Sequence, residues 1–269
     1  MNKNVVPKPI LKWVGGKTQI LSKLLTAFPK EMQNYHEVFL GGGSVLLALL
    51  TYQKMGLIKI KGNIYASDIN AVLIGVYKNI QSKHIELYNH IQVLISNYSS
   101  CGNGEINRHP ETEQQALVSK ENYYYWIRNK YNSLADGEKA DVVGSAMFIF
   151  LNKTCFRGLF REGPRGFNVP YGNYKNPEVI NREHLEEVHT LIQNVTFNAC
   201  DFTNSLANVA ENDFVYLDPP YAPENAKSFV GYTACGFDIE KHKTLFEIIN
   251  KLAVQQKKVM LSKDRKSVV

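Results

Sequence analysis

Two stretches in which short apolar strands run into glycines or aspartates and then into helices stand on either side of a long block with helical spacing. That layout constrains the chain more than any other feature. In the first stretch, residues 36–40 form a short apolar run that ends in Gly41-Gly42-Gly43, followed by a helix-like 44–51. A second strand over 63–67 closes on Asp68, about 25 residues past the glycines, as in the first half of a nucleotide-binding βαβ unit. From 70 to 154 the apolar positions, among them Val76, Ile80, Ile91, Leu94, Met147 and Phe150, recur at helical spacing with no convincing strand. A loop-rich basic segment over 152–177 follows. The alternation then resumes: 195–200 ends at Asp201, Phe214–Leu217 ends at Asp218, and 258–262 follows an amphipathic helix over Ile239–Val254. The expected architecture is an α/β domain built from 1–75 and 182–269, interrupted by a helical insert over 76–181.

Composition narrows the class. No run of about 18 apolar residues occurs, so no membrane span is expected. Lys3, Pro7, Lys8 and Pro9 break any secretory core, which points to an intracellular protein of the cytoplasm or nucleoid. Cys101, Cys155, Cys200 and Cys235 are widely spaced without a CxxC pair, so four free thiols are expected rather than a zinc or redox site. The net charge of +6 is uneven: residues 1–30 hold six lysines and no acid, and 151–176 hold five basic residues against Glu162 alone, which suits a polyanionic partner.

The most informative string is Asp218-Pro219-Pro220-Tyr221, directly after an apolar strand, where open α/β sheets put their ligands. A carboxylate and the Pro219 carbonyl can each accept one N–H of an amino group on an aromatic ring, and Tyr221 offers a face for that ring. Both prolines remove competing N–H donors. A plain Asp-initiated proline turn is the alternative. The second string, Lys12-Trp13-Val14-Gly15-Gly16-Lys17, matches the end of a P-loop at Gly16-Lys17-Thr18, but Leu11 stands where the loop needs its first glycine. Trp13 could stack on a ligand and Lys17 could meet a carboxylate or phosphate; a glycine turn before a helix is the bland reading. In the third, Phe39-Leu40-Gly41-Gly42-Gly43-Ser44 opens a helix and Asp68 could hold the two hydroxyls of a ribose. Asp201 is open between a ligand contact and a cap for the helix at Thr203.

In that order, with a large insert before the last, these motifs resemble the Dam-type, D12 class of DNA adenine-N6 methyltransferases. The resemblance covers most of the chain and implies a Rossmann-like sheet with S-adenosylmethionine as cofactor and double-stranded DNA as partner. It implies that Trp13, Lys17, Phe39, Gly41, Asp68 and Asp218 line the cofactor site, with Asp201 near its adenine. Asp218, Pro219, Pro220 and Tyr221 would be catalytic. The stretches 152–161 and 166–175 are similar to the family's DNA-contacting loop. Phe156 would sit beside a flipped adenine and Arg161 would read a guanine, a bidentate role that an arginine suits. Asn168 falls in the same loop, and Arg157, Arg165 and Lys175 would meet phosphates. No metal and no covalent intermediate are needed. Alignment of the amine, with Asp218 and the Pro219 carbonyl accepting hydrogen bonds from its two N6 hydrogens, is what the protein must supply.

Two departures matter. Arg157 stands where relatives specific for GATC carry asparagine, which leaves the recognition site open: GATC is the first expectation, and CATG or another short four-base site the second. After 258–261 the chain reads Ser262-Lys263 where relatives have Ser-Asn and further strands, which raises a C-terminally truncated relative that binds DNA but methylates weakly. Methylation of RNA bases or protein glutamine is a rival class; the glutamine enzymes usually favour Asn-Pro-Pro-Tyr, against Asp218. A restriction endonuclease sharing the site, without direct contact, is a possible companion.

Overall fold

A computed structural model of the protein describes residues 6–220 and 237–262. Tyr221, Cys235 and the residues 263–269 that bear on a shortened sheet lie outside them. Cys101, Cys155 and Cys200 are free thiols. Among the described residues no helix is long and apolar enough to cross a membrane.

The chain packs as two compact units. One comprises Met1–Lys8, Gly15–Ile74 and Leu191–Val269, the other Pro9–Val14 and Gly75–Thr190. The first is built on a five-stranded sheet of β1 (Tyr35–Glu37), β2 (Ile64–Asp68), β3 (Val195–Ala199), β4 (Phe214–Leu217) and β5 (Lys258–Leu261). All pairs are parallel and the spatial order is β3-β2-β1-β4-β5, a doubly wound order. β4 is buried at every position, as a central parallel strand must be. Val38, Val215 and Leu217 pack with Phe202, Leu206, Leu245 and Leu252, so the amphipathic stripe of the helix Ile239–Val254 finds its partner on the sheet. A second cluster sets Phe28 against Phe214, at 4.7 Å between centroids, and against Tyr35 and Tyr216.

The second unit is helical. Its main helices, Lys120–Ser133 and Val142–Thr154, start where side chains take orphan amides: Ser119 accepts from Asn122 N–H at 3.2 Å and Asp141 from Gly144 N–H at 2.8 Å. Tyr123, Tyr124, Tyr131, Phe148, Phe150 and Phe167 are fully buried and form an aromatic core. The helix Ala71–Ser100 breaks at Lys83, where φ is −138°. A two-stranded antiparallel pair, Glu162–Gly163 with Gly166–Phe167, lies in the basic segment that the sequence reads as loop.

Pro9–Val14 group with this unit, away from the unbroken 1–75 segment expected from sequence. Ile10 and Leu11 are buried, and the fully buried Asn152 grips the backbone of Lys12 on both sides. Its Oδ1 accepts from Lys12 N–H at 2.8 Å and its Nδ2 donates to Lys12 C=O at 2.9 Å.

Candidate active site

In the sheet unit, topology marks the place for chemistry. The chain leaves β1 toward β2 on one side, while β4 lies on the other, so the carboxyl ends of β1 and β4 bound the switch point where open parallel sheets take ligands. β1 leads into Gly41-Gly42-Gly43, and β4 delivers Asp218. Gly41 and Gly43 take left-handed backbone angles, φ 50° and 71°, which a side chain would strain. The Gly41 amide donates to Asp68 Oδ2 at 3.0 Å, and the Asn70 amide to Oδ1 at 2.9 Å. Asp68, ending β2, thus holds the glycine turn. Burial raises its carboxyl above the ordinary range, against the pull of those amides.

Asp218 Oδ2 pairs with Lys17 Nζ at 2.8 Å; the two side chains are 18% and 11% exposed. Burial raises the Asp218 carboxyl above the usual aspartate range, and the lysine only partly offsets this. Lys17 is held in turn: its backbone N–H donates to Ser44 Oγ at 3.3 Å and its ammonium to Gly15 C=O at 3.1 Å. The sequence offers Lys17 to a ligand's carboxylate or phosphate, whereas in the structure its ammonium meets Asp218.

The Asp218-Pro219-Pro220 turn has no backbone N–H at either proline, so it is fastened from outside. Ser262 N–H donates to Leu217 C=O at 2.8 Å, and His242 Nε2 lies 3.1 Å from Pro220 C=O. No donor among the described residues takes the Pro219 carbonyl. Phe39 lies against Phe237 and Phe202, at 5.6 and 5.9 Å between centroids. For Asp201 the cap is what the structure shows: its Oδ1 accepts from Thr203 N–H at 3.0 Å and from Thr203 Oγ1 at 2.8 Å.

Sequence reasoning passes over Glu37. Its signal is an acid inside the apolar run that precedes the glycines. Gly43, at the start of the helix Ser44–Lys54, has no side chain to cap it, and the Leu46 amide of the first turn lowers the nearby Glu37 carboxyl without offsetting its burial. Tyr35 Oη donates to Glu37 Oε2 at 2.8 Å. Burial pushes the Glu37 carboxyl up to about 8, and the neighbouring Asp218 charge adds to this. From the ordinary 4.5 to about 8 the native state therefore binds a proton that the unfolded chain has lost, so this site makes stability fall as pH rises through that window. In urea titrations, wild-type stability measured against Glu37→Gln should drop by on the order of 5 kcal/mol across it. Parallel pH curves for the two proteins would contradict this.

In the helical unit, Trp13 stacks on Phe160 at 5.3 Å and 21°. The residues expected to meet DNA lie on the segment after the helix Val142–Thr154. Phe156 is 44% exposed, and the Arg157 guanidinium sits 5.1 Å from its ring centroid. Arg157 has φ 57°, uncommon for a residue with a side chain, and such strain concentrates at working turns. A Cβ at the following Gly158 would collide with the Lys12 side chain. Arg161 Nε donates to Asn168 Oδ1 at 2.6 Å and its Nη2 to Asn168 C=O at 3.3 Å, which fixes one edge of the guanidinium. Arg165 and Lys175 are exposed.

Residues 13–268 match the family model of D12 class N6 adenine-specific DNA methyltransferases. The chain is 38% identical to the type II methyltransferase M.MjaIII of Methanocaldococcus jannaschii, over 95% of this chain and 83% of that protein. It is 28% identical to the type II methyltransferase M1.LlaDCHI of Lactococcus lactis subsp. cremoris, over 95% and 80%. With the DNA adenine methylase of Salmonella typhi it shares 30% identity, over 97% and 81%.

Proposed function

The chain belongs to the D12 class N6 adenine-specific DNA methyltransferases, and from that membership we propose that it methylates N6 of an adenine swung out of double-stranded DNA at a short site. The family implies S-adenosylmethionine as the donor, which when bound supplies an electrophilic methyl group. The residues of the sheet unit fit such a ligand. Asp68 keeps lone pairs beyond those given to Gly41 and Asn70, enough for two ribose hydroxyls. Lys17 is the cation for a carboxylate, and Phe39 is the ring face assigned by resemblance.

The observation that carries the reading is the acceptor pair at Asp218 and Pro219. An exocyclic amine presents two hydrogens, and this turn offers a carboxylate and a carbonyl that no described residue donates to, with no proline N–H in competition. Holding both hydrogens turns the nitrogen lone pair out of the ring's conjugation, and Asp218 draws off the proton that N6 gives up. Tyr221 would stack on the base, and Pro220 fixes the turn.

The helical unit, in this reading, binds the DNA. Phe156 fills the space beside the flipped base, Arg161 reads a guanine with the guanidinium edge that Asn168 leaves open, and Arg157, Arg165 and Lys175 meet phosphates. GATC is the first candidate site and CATG the second. Arg161→Ala should slow methylation at the preferred site by about ten- to a hundredfold and flatten the preference for its guanine, whereas Lys175→Ala should weaken all sites alike. Rates on duplexes varied one base pair at a time check this; an unchanged preference in Arg161→Ala would remove the arginine from readout. The type II names of two relatives support a restriction endonuclease of the same site as companion.

The reading is tested by incubating the purified chain with unmethylated DNA and labelled cofactor, then digesting to nucleosides. Label in N6-methyladenosine is expected. Salt-dependent DNA retention without label would point to a DNA-binding relative instead.

A further inference from the structure

We propose that His242 is a positioning residue that sets the Asp218-Pro219-Pro220 turn through the Pro220 carbonyl. The inference rests on the reading of that turn given above. A segment with two consecutive prolines cannot be braced by its own amides, so its geometry depends on donors that reach its carbonyls from elsewhere. The described residues provide few. Ser262 N–H takes the Leu217 carbonyl, Lys17 takes the Asp218 carboxylate, and His242 Nε2 takes the Pro220 carbonyl at 3.1 Å. Pro219 lies between the last two, and its carbonyl is the one the chemistry needs open.

The ring of His242 is itself fixed. It sits in the first turn of the helix Ile239–Val254, whose cap is Asp238 accepting from Lys241 N–H at 2.9 Å. Its Nδ1 lies 2.9 Å from Asp238 C=O, and Phe237 meets it edge-on at 4.5 Å and 79°. Phe237 also packs on Phe39 and Phe202, so the imidazole is wedged between the aromatic group behind the glycine turn and the end of β4. With Nε2–H donating to the Pro220 carbonyl, the neutral ring has no hydrogen on Nδ1 for the Asp238 carbonyl, so it is held by the Pro220 bond and the Phe237 contact, and a ring so placed positions the two acceptors relative to each other. A displacement of about 1 Å in such an acceptor costs up to a hundredfold in rate.

The test compares His242→Phe, which keeps the ring volume and its aromatic contact but has no donor, with His242→Gln, whose amide can donate. Single-turnover methyl transfer and the KM values for cofactor and DNA are measured on the full chain. His242→Phe should lose about tenfold or more in kcat with both KM values within about twofold, and His242→Gln should recover most of it. Should His242→Phe fold poorly, His242→Ala with added imidazole supplies the same comparison, with recovery of rate expected. Equal rates in wild type and His242→Phe would overturn the role. So would equal losses in the Phe and Gln variants, or His242→Ala unmoved by imidazole. A wild-type chain that puts no label into N6-methyladenosine removes the parent reading and this role together, whereas an active wild type with an indifferent His242 removes this role alone.

Discussion

Asp218→Ala should lower single-turnover methyl transfer by about 10²-fold or more while leaving DNA binding close to wild type. The loss follows from geometry. Alanine leaves N6 with only the Pro219 carbonyl, and it removes the carboxylate that receives the departing proton. It also frees Lys17, now paired at 2.8 Å, to approach the vacated position with a like-signed donor. Asp218→Asn should fall nearly as far, because its amide NH₂ would face the N–H groups it has to accept from. The wild type adds a check on pH. Burial raises the Asp218 carboxyl, so the rate should fall on the acid side at a pH above that of an ordinary aspartate. Lys17→Ala, by taking away the one influence that lowers it, should move that limb to still higher pH. Quenched-flow incorporation of label measures both. An Asp218→Ala protein with more than about a tenth of the wild-type rate would remove the carboxylate from the chemistry.

Asp213→Ala should cost about 3–5 kcal/mol in folding stability and little in turnover by the molecules that remain folded. Asp213 is fully buried just before β4, at the amino end of the sheet, opposite the end that bears Asp218. It accepts from Asn34 N–H at 3.1 Å, Asn34 Nδ2 at 2.7 Å and Ala210 N–H at 2.9 Å, and it meets His36 Nε2 at 2.8 Å. Alanine would leave the buried His36 without its partner and take the acceptor from the partly buried Asn34 and from the Ala210 amide. Burial works to raise this carboxyl, but the hydrogen bonds outweigh it and hold the group below the ordinary aspartate range. Its contribution is therefore complete above pH ~4 and is lost as pH falls through the lowered native value. Urea unfolding at pH 7 and at pH 3 checks the sign: the gap between wild type and variant should narrow in acid.

Much of the sheet unit was legible because its strands announce themselves. β4 and the helix Ile239–Val254 fall where apolar continuity and amphipathic spacing put them. The strand expected over 36–40 is shorter, Tyr35–Glu37, because Val38 and Leu40 leave the ladder for the glycine turn while still donating to Tyr216 and Ser67 carbonyls. Three features were not legible, each for a tertiary reason. Pro9–Val14 reads as the start of the α/β domain, but Asn152 captures it from 140 positions away. Glu37 reads as one more residue of an apolar run; its burial and its bond from Tyr35 appear only in the fold. His242 looks like part of the polar face of an amphipathic helix, and only the fold brings it to Pro220. The string Asp218-Pro219-Pro220 stands out in the sequence, since proline and aspartate after a strand leave few alternatives, whereas the pairing of Lys17 with Asp218 appears only in the fold.

The central claim, that Asp218 and the Pro219 carbonyl receive the two hydrogens of a flipped adenine amine, is tested most directly by a crystal structure with a DNA duplex and a non-reactive cofactor analogue. The account predicts the target N6 within about 3 Å of both Asp218 Oδ and Pro219 O, with Pro220 O still on His242. A complex in which the base is extrahelical and N6 points away from this turn, with the Asp218 carboxylate still closed on Lys17, would contradict it.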